Sequence, residues 1–111
     1  MNVLDLSTAL ELEVLNMSDS ERMVAGVYSG DLLSWVMTRL KTDFAWITIM
    51  SNINSIAVAT LADASCIIFT ENAEVSEELL NKAKEQGINI FRTAKSTFET
   101  SFAIGKIFYG E

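Results

Sequence analysis

Hydrophobic positions along the chain change period several times, and each change marks an element. Val3, Leu6 and Leu10 recur at helical spacing, so Asn2 to Leu10 reads as a short helix. Glu11-Leu12-Glu13-Val14-Leu15 then alternates with period two, as a half-buried strand does. Asn16 to Glu21 is polar and acid-rich, a turn, and Arg22 to Tyr28 is a second strand that stops at Ser29-Gly30. Asp31 is placed to cap the next helix, whose buried face is predicted as Leu32, Leu33, Val36, Met37 and Leu40. Ala45 to Met50, with its Trp, Ile and Thr, predicts a strand. After the turn Ser51-Asn52-Ile53-Asn54, Ser55 is expected to cap a helix through Ile56, Val58 and Leu61. Ala57, Ala59 and Ala62 make that helix thin and suited to close burial.

Cys66-Ile67-Ile68-Phe69 is a continuous apolar run of strand length, the mark of a central parallel strand covered on both faces. The helix after it carries the fullest set of signals. Ser76 caps it, Val75 and Leu80 are spaced as a hydrophobic staple, Glu77 and Glu78 sit at its positive end, and Gly87 stops it. Ile88 to Phe91 is the next strand. Ser96-Thr97-Phe98-Glu99 is a capping box opening a last helix with a stripe of Phe98, Phe102, Gly105 and Tyr109. Strand and helix alternate from Arg22 onward, which implies right-handed crossovers. The expected class is α/β: three layers, a mainly parallel sheet of about five strands with helices on both faces, residues 1–111 forming one domain.

Composition narrows what such a domain can do. The chain has 111 residues, no histidine and one cysteine, which excludes His-based triads, His metal sites, internal disulfides and CxxC sites. Fifteen acids against eight bases give a net charge of −7, which argues against nucleic acid or an anionic membrane as partner. The first residues lack the basic and apolar runs of a leader, and no apolar stretch has the length of a membrane span, so a cytoplasmic protein is expected. Its five glycines are ungrouped, so neither a Walker loop nor a dinucleotide fingerprint is present. No cofactor and no metal are expected.

Open parallel sheets bind ligands outside the carboxyl ends of their strands. Here those ends are Ser29-Gly30-Asp31, Ser51 to Asn54, Thr70-Glu71-Asn72 and Thr93 to Ser96. Gly30, Asp31, Ser51, Asn52, Thr70 and Thr93 are the candidate ligand-binding residues, a polar rim backed by helix N-termini and suited to phosphate or carboxylate. The same residues serve equally as caps and solvated turns. An enzyme reading casts Asp31 as base and Lys95 as oxyanion stabiliser, with no activated nucleophile to support it. Cys66 opens a buried run and reads as an inert core thiol, and Trp35 and Trp46 read as core or interface residues. In the last helix, Phe98, Phe102 and Tyr109 share one side while Ile104, Ile107 and Phe108 fill much of another. A single sheet face cannot hide both, so a homodimer interface is expected at Phe102, Ile104, Ile107 and Phe108.

The run Gly26 to Met37 (Gly-Val-Tyr-Ser-Gly-Asp-Leu-Leu-Ser-Trp-Val-Met) resembles small DRTGG-domain proteins. Trp46-Ile47-Thr48, Asn54 to Leu61, Ile67 to Thr70 and Thr93 to Glu99 carry the resemblance further, so that it covers about Asn2 to Phe108. It implies an α/β domain similar to the N-terminal domain of HPr kinase/phosphorylase, without the kinase domain that carries catalysis. It also implies a regulatory, dimerising role, alone or beside an enzyme. Asn52 and Ile53 align with the Asp-Arg pair of the family name, and Thr70, Glu71 and Asn72 with its Thr-Gly-Gly, so of that signature only the threonine is kept. The reading is a non-enzymatic, homodimeric regulatory module with a regulatory protein partner. The alternative is a sensor of a nucleotide or organic anion at the rim.

Overall fold

The structure is a computed structural model and describes residues 1–110; Glu111, the last residue of the expected domain, lies outside the described residues. Ten elements follow in chain order: α1 (Val3–Ala9), β1 (Glu13–Asn16), β2 (Gly26–Ser29), α2 (Leu33–Arg39), β3 (Phe44–Thr48), α3 (Ile53–Ala62), β4 (Cys66–Phe69), α4 (Glu77–Gln86), β5 (Asn89–Arg92) and α5 (Thr97–Tyr109). One sheet joins the strands in the order β1-β5-β4-β3-β2. β2 through β5 are parallel, and β1 is antiparallel to β5 with an irregularity between Val14 and Asn16.

Each parallel strand lies beside the one before it, so every crossover steps the same way. Right-handed connections then put α2, α3 and α4 on one face, and the other face is left to α1 and α5. The two cores follow that division through the period of the strands. Trp46, Ile67, Phe69 and Ile90 point into a cluster with Val36, Ile56, Ala59, Leu79 and Ala83. Their neighbours Ala45, Ile47, Cys66, Ile68 and Phe91 point the other way, toward Val3, Leu6 and Ile104. A strand covered on both faces must be apolar at every position, which is why Cys66 to Phe69 shows no alternation. Burial pushes the Cys66 thiol up to about 12, so its thiolate is unavailable at neutral pH.

Several local expectations are corrected. The second strand loses its first four residues, because Arg22 turns instead to an ionic knot at the amino ends of the strands. Its Nε lies 2.9 Å from Asp43 Oδ1, and its Nη2 donates to Asp63 Oδ1 and the Asp63 carbonyl at 3.0 and 2.7 Å. α2 buries only Val36, with Leu40 at its end and Leu33 half-buried, while Leu32 and Met37 stay exposed. Nothing among the described residues packs outside α2, so its outer side is open. Ser55 does not cap α3. Asn52 does, accepting from Asn54 N at 2.7 Å, and Ser55, one turn in, donates its hydroxyl to the Met50 carbonyl. Leu61 is exposed, since α3 turns Ser55, Ile56, Val58 and Ala59 to the sheet. The capping signals of α4 and α5 take the expected form: Ser76 and Gly87 bound α4, Gly87 at φ 71°, and Ser96 and Glu99 form the capping box of α5.

Candidate functional site at the carboxyl rim and along the last helix

The carboxyl ends of β2 to β5 lie side by side, as the parallel register requires. Gly30 closes β2: its amide donates to the Ile47 carbonyl, and its own carbonyl accepts from Trp46 Nε1 at 2.9 Å. Asp31 is not the cap of α2, whose first residue has no side-chain cap. One position too early for that task, it reaches across to β3, where Oδ1 accepts from Thr48 Oγ1 at 2.8 Å and from Ile49 N at 3.0 Å. Thr48 Oγ1 in turn accepts from Met50 N. Asn52 is spent on its cap, and Ser51 donates its amide to the Ile49 carbonyl. Thr70 is fully buried, its hydroxyl 2.6 Å from that of Thr97 at the start of α5. Thr93 Oγ1 accepts from Lys95 N.

Thus the rim residues named from sequence do stand at adjacent strand ends, but the side chains of Asp31, Asn52, Thr70 and Thr93 are bonded to other groups of the chain. Thr93 and Lys95 also line a cavity of about 130 Å³ with Leu10, Glu11, Leu12 and Thr100, on the α1 and α5 side of the sheet. Arg92 is taken as well. Its guanidinium meets both carboxylate oxygens of Glu13 at 2.9 and 3.0 Å, which holds the Glu13 carboxyl below its usual range. Between these ends, no group of three acidic or cysteine side chains gathers in the way a metal ion requires, among the described residues.

The turn after β4 has a conformation that its residues do not favour. Glu71 and Asn72 sit at φ 58° and 52°, both in the left-handed region. Their amides donate to the carbonyls of Lys95 and Thr93, each at 2.9 Å, and Ala73 N donates to Thr70 O. The pair therefore ties the end of β4 to the loop after β5, and neither amide is free for an anion. Asn tolerates this region; Glu does not, at about 1–2 kcal/mol. Glu71→Gly is expected to raise unfolding stability by about 1 kcal/mol, part of the relief being offset by the freer unfolded chain. Urea unfolding checks it: the midpoint should rise with an unchanged slope, and a lower midpoint would show that Glu71 makes a contribution beyond backbone geometry.

α5 resolves the two apolar sides that the sequence left competing. Thr100 and Ile104 face the sheet, Ile104 with none of its surface exposed. This corrects the expected interface: Ile104 packs within its own chain, four residues on from Thr100 and one turn along the same side. Phe108 continues that side and is half-buried against the same cluster. Phe98, Phe102 and Tyr109 point away, 76%, 59% and 66% exposed, and Ile107 is partly exposed beside them. Phe98 and Phe102 stack with ring centroids 6.1 Å apart, and Lys106 lies over Phe102. Ser101 Oγ donates to Ser29 Oγ at 3.1 Å, which sets this stripe beside β2. Trp46 is core, but Trp35 is a surface residue on α2 with Arg39 4.1 Å over its ring.

Comparison with known proteins agrees with this geometry. The family model of the DRTGG domain matches residues 5–107. A crystal structure of the CBS and DRTGG domains of the regulatory region of Clostridium perfringens pyrophosphatase, complexed with the activator diadenosine tetraphosphate, is similar in fold. The TM-score is 0.74 at 16% identity, over 93% of this chain and 45% of that one. The chain thus spans less than half the length of that structure. No curated protein matches it in sequence.

Proposed function

This chain belongs to the DRTGG-domain family, and from that premise we propose that it is a non-catalytic regulatory module, cytoplasmic and homodimeric, that acts through protein contact with a regulatory partner. The observation that carries the reading is the contrast between its two candidate surfaces. At the rim the side chains of Asp31, Asn52, Thr70 and Thr93 each have a partner within the chain, whereas the α5 stripe leaves three large aromatic side chains in solvent. Soluble chains do not commonly leave such contiguous apolar surface uncovered. No helix among the described residues is long and apolar enough to cross a membrane, so a protein surface is the more suitable cover.

The alternative, a sensor of a nucleotide or organic anion at the rim, draws on the activator bound to the pyrophosphatase regulatory region. Three features weigh against it here. The parallel strands follow one another without a reversal of order, so the sheet lacks the crevice at which such folds commonly bind ligands. Ile53 stands where the family signature has an arginine, and Glu71 adds negative charge where it has glycine.

Sedimentation equilibrium of the intact chain and of Phe102→Glu tests the proposal. The wild type should sediment as a dimer at tens of micromolar, and the variant should dissociate at least ~10-fold more readily with its melting midpoint unchanged. A wild-type monomer over that range sinks the homodimer reading.

A further inference from the structure

We propose that two copies of this chain join through the free edge of β2, continuing the sheet across a two-fold axis at Tyr28. The inference rests on the homodimer reading above and names the surface that forms it. β2 ends the sheet, with β3 on one side and no strand on the other. Gly30 N donates to the Ile47 carbonyl of β3, so by the alternation of a strand the backbone groups of Tyr28, two residues back, face β3 while those of Val27 and Ser29 face the open edge. An antiparallel copy centred at Tyr28 lets Val27 and Ser29 of one copy exchange backbone hydrogen bonds with Ser29 and Val27 of the other, the arrangement a two-fold axis requires.

The two sheet edges differ in protection. β1 carries an irregularity between Val14 and Asn16 and the Arg92–Glu13 clamp, devices that discourage further pairing. Gly26-Val27-Tyr28-Ser29 has no lysine, no proline and a regular register. On both faces the open edge is flanked by exposed apolar side chains: Leu32 and Trp35 of the α2 segment on one, Phe98, Phe102 and Tyr109 of α5 on the other. Their exposed surface comes to about 600 Å², taking roughly 200 Å² for a whole aromatic side chain. A stable interface buries roughly 800 Å² per partner, so these side chains with the backbone edge between them reach that size.

A second copy also fits in charge. At −7 the chain repels itself over distance, but near this edge Asp31 is bonded to Thr48 and Ile49 N and Glu99 to the Ser96 amide, and other acids lie far from it. Glu77, Glu78 and Glu85 lie on α4, which packs toward β5 and β1 at the far end of the sheet. The charged groups over the flanking aromatic rings are Arg39 and Lys106.

The test uses Ser29→Cys, at the exposed end of β2, and Asn81→Cys, on the outer side of α4, each treated with a short bismaleimide. The native Cys66 is buried and does not compete. Ser29→Cys should give a covalent dimer and Asn81→Cys none. In the unaltered chain, amide exchange over residues 26–30 should become about tenfold slower as concentration rises through dimerisation. A sedimenting dimer with no cross-link at Ser29 and no slowing overturns the β2 edge while leaving the homodimer standing, as does cross-linking through Asn81. A monomer removes both.

Discussion

Replacing Asn89 with alanine should lower the unfolding free energy by about 3 kcal/mol, among the largest losses available to a polar residue here. Asn89 opens β5 with only 1% of its surface exposed. Oδ1 accepts from the amides of Ser18 and Asp19 at 2.8 and 2.9 Å, and Nδ2 donates to the carbonyls of Asp19 and Ser65, both at 3.0 Å. One side chain thus satisfies four backbone groups and fastens the loop after β1 to the start of β4 and β5. Alanine leaves all four without that partner. Ser18 and Asp19 are at the surface and recover water, whereas the Ser65 carbonyl lies in a buried segment and does not. Urea unfolding monitored by tryptophan fluorescence measures the loss. Asn89→Asp refines the argument, because it keeps the acceptor for the two amides but sets a carboxylate oxygen against two carbonyls. Its deficit should therefore grow as pH rises and the carboxylate ionises. A cost below about 1 kcal/mol for alanine would mean that the loop relaxes and hydrates as a whole.

Ile104→Ala should cost about 3 kcal/mol, the range for a fully buried large-to-small change, and Ile107→Ala less than about 1 kcal/mol. The two residues are three apart on one helix, and the sequence offers no reason to rank them. In the structure Ile104 fills the space between α5 and the Ala45, Ile47 and Ile68 side of the sheet, and Ile107 is 41% exposed. Chemical unfolding of the two variants separates them at once. Equal costs would mean that α5 is rotated about its axis, and the identification of the Phe98–Phe102–Tyr109 stripe as free surface would fall with it.

Much of the architecture was legible because local chemistry and tertiary demand agree. Helix caps are the clearest instance. Ser76 and Ser96 are followed by acids in the first turn, Gly87 takes a left-handed backbone, and none of these depends on what the helix packs against. Cys66 to Phe69 announced itself for a different reason: only a strand with helices on both sides needs four apolar residues in succession. Where a polar side chain had two possible uses, local reading chose the nearer one. Asp31 and Ser55 stand close enough to helix starts to cap them, yet each bonds outside that role, Asp31 to the neighbouring strand and Ser55 back to Met50. The Arg22 knot and the Asn89 latch were invisible for the same reason, since their partners lie 21 to 71 residues away in the chain.

Taken alone, the sequence determined the class of fold, the order of its elements, the absence of histidine and paired-cysteine chemistry, and the positions of the strand ends at which a ligand is sought. Those follow from period, composition and capping, which are properties of neighbouring residues. Only the tertiary structure decided which side of α5 is core, which tryptophan is surface, that Asp31 and Thr70 at the rim are bonded to Thr48 and Thr97, and that β2 is a free edge. Each of these depends on what a side chain or strand finds across from it after folding, and a pattern of three or four residues carries no record of that partner.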